Sequence, residues 1–93
     1  MKPNTNIHPW TAATAWFKRM MDTKIHENVH KGHWADDDWV TLFGLMLDEV
    51  EELKEELDKP EHDAVAIARE AADVANFAMM IADNARHTLK GSK

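Results

Sequence analysis

Apolar residues recur every three or four positions through most of the chain, which is the spacing of a helix and not of a strand. Trp10, Ala13, Phe17, Met21 and Ile25 make the first such stripe, with residues 1–8 reading as an extended lead-in. Pro9 stands where that helix begins, a place where its missing N–H is no loss. Residues 27–38 break the rhythm around Gly32 and predict a loop. Trp39, Phe43, Met46, Val50, Leu53 and Leu57 then step 4-3-4-3-4 and predict a second helix over about 38–58. Asp36, Asp37 and Asp38 offer cap residues and negative charge at its N-terminus. Pro60 marks a break, with Asp58 a candidate cap for a third helix over about 60–89 that stops before Gly91. The stripe of that helix is Ile67, Glu70, Val74, Phe77 and Ile81, and one member is a carboxylate.

Three helices, two of them long and antiparallel, make an all-α helical bundle protomer in a single domain over 1–93, with 90–93 as a tail. A hairpin plus one helix leaves apolar surface uncovered, so a homodimer or homotetramer is expected to complete the bundle. Composition agrees with this class. Three Gly and three Pro are too few for a turn-rich β fold, and 44% apolar residues with four Trp exclude a disordered acidic tail. With no Cys there is neither a disulfide framework nor a thiolate metal site. The longest apolar run, Phe77 to Ala82, is far short of the ~20 residues of a membrane span. Met1-Lys2-Pro3-Asn4 leads into no apolar segment, so a cytoplasmic protein is expected. A formal charge of −6 argues against nucleic acid or an anionic membrane as partner.

The acids are not spread evenly. Seven of the 17 lie in residues 48–58, and three more in 36–38. Glu49 and Glu52 flank the apolar line of the second helix at its rim, continuing from Leu42 and Leu45. Glu70 interrupts the stripe of the third helix among Ala66, Ala68, Ala71 and Ala72, with Asp73 three residues on and on nearly the same face. A carboxylate placed there is costly unless it is paired or coordinated. If the two helices pack antiparallel, Glu49-x-x-Glu52 and Glu70-x-x-Asp73 face each other and four carboxylates line one pocket. A hard divalent cation would turn their mutual repulsion into attraction. The competing expectation for Glu70 and Asp73 is a buried ion pair with Arg69, Arg86 or a lysine of the first helix.

The two segments Leu47-Asp48-Glu49-Val50-Glu51-Glu52-Leu53 and Glu70-Ala71-Ala72-Asp73-Val74-Ala75-Asn76 resemble the ExxE…ExxD signature of MazG-like nucleotide pyrophosphohydrolases, the all-α NTP pyrophosphatases. Seventeen residues separate Glu52 from Glu70, and the likeness extends over roughly 31–85, including Lys31-Gly32-His33-Trp34. Members often carry Gly where this chain has Glu51, and Glu52-x-x-Glu55 also fits the first spacing; Glu49 and Glu52 are preferred because Val50 and Leu53 then take the core positions. The resemblance implies that Glu49, Glu52, Glu70 and Asp73 bind Mg²⁺, with Mn²⁺ as a substitute. It also implies an oligomeric hydrolase that cleaves (d)NTPs to the monophosphate and pyrophosphate, a housekeeping activity on the nucleotide pool. Either Glu49 or Glu52 would accept a proton from the attacking water.

Such a substrate needs further contacts. Lys31, Lys54, Arg69, Arg86 and Lys90 are the candidates for the phosphates, Lys31 favoured by its place in the Lys-Gly-His-Trp segment. Trp34 and Trp16 are the candidates to line a nucleotide pocket, while Trp39 is expected in the core. Asn76, one turn beyond Asp73, either orients the ligand or satisfies a backbone group across a helix interface. His26, His30 and His33 have a spacing that suits Zn²⁺, but Gly32 interrupts it. The non-enzymatic alternative is a helical oligomerisation or partner-binding module with buried acidic pairs.

Overall fold

The computed structural model describes residues 8–28 and 34–89. Three α-helices carry the fold: α1 (Trp10–Glu27), α2 (Trp39–Asp58) and α3 (Ala64–Leu89), with a 3-10 turn over Trp34–Asp36. No strand occurs among the described residues, as the 3.6-residue rhythm predicts. α3 is the central element and packs against both α1 and α2.

The registers follow from named contacts. Asn76 Nδ2 donates to Met21 O at 3.0 Å, and Arg69 reaches Glu27, so α1 runs antiparallel to α3. Asn84 Nδ2 donates to the carbonyls of Trp34 and Asp37 at 3.3 and 3.1 Å, which fixes the entry to α2 against the far end of α3. The short link at residues 59–63 joins their other ends, so α2 is also antiparallel to α3.

Local chemistry sets the helix ends. Asp38 caps α2 by accepting from Thr41 N at 2.7 Å. The third helix starts at Ala64, not at Pro60. Asp63, not Asp58, is its cap, with Oδ1 accepting from Val65 N and Ala66 N. The reason is Lys59: a residue before proline is pushed out of the helical region, and Lys59 lies extended at ψ 144°. Asn28 closes α1, its Nδ2 donating to Lys24 O at 2.9 Å.

The core differs from the expected stripe on α2. Leu42 is fully buried and Met46, Glu49, Leu53 and Glu56 are half-buried, a line that keeps Met46 and Leu53 of the predicted stripe but takes Leu42, Glu49 and Glu56 in place of Phe43, Val50 and Leu57. Trp39, expected in the core, is 50% exposed, and Phe43, Val50 and Leu57 are exposed as well. α2 carries two adjacent apolar lines, and a single neighbouring helix covers only one of them. On α3 the fully buried positions are Ala72 and Asn76, beside the half-buried Glu70, Asp73 and Val74. Small Ala72 lets a neighbouring helix approach closely. The result is a slab of 49 × 42 × 21 Å, thin for its breadth.

Candidate metal centre

The antiparallel α2–α3 pair brings together side chains far apart in sequence. Glu49 from α2 and Glu70 and Asp73 from α3 each place a carboxylate oxygen within 4.8 Å of the others. Glu49 is not at the rim, as the sequence suggests, but on the line that faces α3, in series with Leu42, Met46 and Leu53. Glu52 is three residues on, turned off that line, exposed, and outside this group of oxygens. Its charge still acts on both Glu49 and Glu70. Three of the four acids expected in one pocket therefore converge, and the fourth stands beside them.

Burial and mutual repulsion both oppose the ionisation of Glu49 and Glu70. Glu49 has its pKa raised to about 7, first by burial and then by the charges of Glu52, Asp73 and Glu70. Glu70 is raised by the same two effects, burial ahead of Glu52 and Asp73. Glu70 Oε1 is buried without a hydrogen-bond partner among the described residues. A buried carboxylate oxygen without a partner costs about 1–3 kcal/mol in lost hydration. The donor set is all carboxylate oxygen, the chemistry that suits Mg²⁺ or Mn²⁺ rather than a soft metal.

One cation already touches the group. Lys24, from α1, places Nζ 3.5 Å from Asp73 Oδ2 and 3.3 Å from Glu27 Oε1. Its charge opposes the upward shifts of Glu49 and Glu70. The sequence offers a lysine of the first helix as an ion-pair partner here, but no pattern singles out Lys24; the α1–α3 register does.

The remaining candidates are dispersed. Asn76 is buried, with its amide committed to Met21 O, the role of bridging a helix interface. Trp34 donates from Nε1 to Asp83 Oδ2 at 3.2 Å. Asp83 lies ten residues beyond Asp73, about 15 Å along the helix. Trp16 is 47% exposed on α1, tilted against Phe17 beside a shallow hollow also bordered by Ala13, Thr14, Lys18 and Met21. Given the α1–α3 register, both tryptophans lie toward the C-terminal end of α3, away from the acids. Lys54 pairs with Asp58, Arg69 with Glu27, and Arg86 with Asp83. Lys31, Lys90, His30 and His33 lie outside the described residues, and His26 is exposed on α1. Among the described residues no helix is long and apolar enough to cross a membrane.

Neither a family model, nor a curated protein, nor a solved structure matches the chain.

Proposed function

We propose that the protein is a Mg²⁺-dependent hydrolase that converts (deoxy)nucleoside triphosphates to the monophosphate and pyrophosphate. The carrying observation is the convergence of Glu49, Glu70 and Asp73 within 4.8 Å across α2 and α3. Supporting it are the bare Glu70 Oε1 and the ExxE…ExxD pattern of the sequence. Glu49, Glu70 and Asp73, with Glu52 beside them, would hold the metal. Mg²⁺, or Mn²⁺ in its place, would neutralise phosphate charge and so admit an anionic substrate to a −6 protein.

The chain's own groups then divide the work. Glu49, on the line of α2 that faces α3, is one candidate to take a proton from the attacking water. Glu52 is the other candidate, exposed and therefore accessible to water. Trp34 and Trp16, at the end of α3 remote from the acids, are candidate surfaces for the base of an extended nucleotide. The exposed apolar line of α2 would be covered by a second copy, giving a homodimer or homotetramer.

The Lys24–Asp73 ion pair favours a second reading, a helical interaction module with buried acidic pairs. Glu70 weighs against it, because its buried oxygen has no hydrogen-bond partner. Pyrophosphate release across the eight common (d)NTPs with Mg²⁺ separates the two. Turnover of at least one nucleotide that is abolished in Glu70→Ala and Asp73→Ala supports the hydrolase. No turnover by the folded protein supports the module.

A further inference from the structure

One lysine of α1 is ion-paired with the acid group through Asp73. Lys24 Nζ bridges Asp73 Oδ2 and Glu27 Oε1, and Arg69 closes on the same Glu27 oxygen at 2.8 Å. The row therefore runs Asp73, Lys24, Glu27, Arg69. The Lys24 side chain is only 13% exposed and that of Asp73 17%. Among the described residues Lys24 is the one basic side chain ion-paired with a member of the acid group; the pairs of Lys54, Lys59 and Arg86 are all with acids elsewhere.

The base of this side chain is held on both sides. One turn earlier the buried Asn76 ties Met21 O to α3, and Asn28 ties the carbonyl of Lys24 itself. The backbone at the root of the stem is thus tied down, while four methylenes give the ammonium reach to more than one carboxylate. Asp73 cannot serve an ammonium and a divalent cation equally well. A dication among Glu49, Glu70 and Asp73 also repels Lys24.

We infer that Lys24 is the internal counter-ion of this site, holding Asp73 when no metal is bound and transferring to the phosphate oxygens of the anion that arrives with the metal. This rests on the metal-dependent reading above. Glu27 keeps the displaced ammonium at the rim, so it is moved a short way and not lost to solvent. The consequence is a pair of effects with opposite signs. Lys24 competes with a bare metal ion but assists a metal-bound polyphosphate. A lysine that merely clips α1 to α3 would shift both in the same direction.

The test is calorimetric titration of the full chain, wild type against Lys24→Met and Lys24→Arg, with Mn²⁺ alone and with inorganic triphosphate in saturating Mg²⁺. Lys24→Met is expected to bind Mn²⁺ about tenfold more tightly and the triphosphate about tenfold more weakly, with Lys24→Arg close to wild type in both. Equal or parallel changes in the two affinities overturn the inference. In the wild-type chain, the Lys24 ammonium NMR resonance, assigned with Lys24→Arg, is expected to move when Mg²⁺ and triphosphate are added together. An unmoved resonance overturns it without recourse to the methionine variant. A wild-type chain that binds no Mn²⁺ at millimolar concentration removes the metal reading itself, and this inference with it. Mn²⁺ binding that is the same in Lys24→Met removes the role of Lys24 alone.

Discussion

Glu49 and Glu70 put half-buried carboxylates on the α2–α3 interface, where an apolar side chain would pack. Both ionise late because burial and neighbouring acids oppose the charge. The effect on stability has a definite sign. In the unfolded chain Glu49 loses its proton near 4.5, but in the fold only near 7. The folded state therefore binds the extra proton between these values. Stability from this source is complete below 4.5 and lost as pH rises through 7. Glu27, Asp38 and Asp83 are shifted downward, so their effects lie at more acid pH. In the presence of a chelator the melting temperature is expected to be higher at pH 5 than at pH 8, and Glu49→Gln to lose most of that difference. A flat wild-type profile would count against the burial of Glu49. Glu70→Met removes a buried oxygen that has no partner. It is expected to raise the metal-free melting temperature by a few degrees, equivalent to about 1 kcal/mol, while abolishing turnover. At this scale the sequence was informative, since an acid inside an apolar stripe is visible without a structure. Lys24 was not, because its partner lies on another helix and no periodicity connects them.

The three helices were legible for the same reason, a 3.6-residue rhythm sustained over each. What periodicity could not decide was which way α2 faces. Met46 and Leu53 fit a stripe with Trp39, Phe43, Val50 and Leu57 as well as one with Leu42, yet only the side that carries Leu42 is turned to α3. Packing against an alanine-rich helix chose between them, and that choice moved Glu49 from the rim to the interface. The start of α3 was misplaced for a local reason, the extended Lys59 before Pro60. The buried polar link of the α1–α3 interface is Asn76, for which the sequence left two roles open, beside the Lys24–Asp73 and Arg69–Glu27 ion pairs. Asn76→Ala leaves Met21 O short of a donor in a buried place. Urea denaturation is expected to show a loss of about 1–3 kcal/mol. An unchanged midpoint would mean that this bond does not hold α1 in register.

The described residues form a thin slab with α3 at its centre, and none of them covers one flank of α2. Trp39, Phe43, Leu47, Val50 and Leu57 lie along that flank, and Val40 is 82% exposed beside them. So much apolar surface on a small domain is characteristic of an interface. Sedimentation velocity is expected to show a dimer or tetramer for the wild type and a monomer for Phe43→Glu combined with Leu47→Glu. A monomeric wild type at micromolar concentration would contradict the shared bundle. The charge of −6 belongs to this scale too: in the proposed reading it disfavours a direct electrostatic hold on a triphosphate and gives the metal the part of go-between. The most direct check of that claim is ³¹P NMR of the reaction mixture containing the protein, Mg²⁺ and a (d)NTP it consumes, followed with wild type and with Asp73→Ala. The account predicts that wild type yields only the nucleoside monophosphate and pyrophosphate, and that the variant yields neither. Formation of the diphosphate and orthophosphate, or equal turnover by Asp73→Ala, would contradict it.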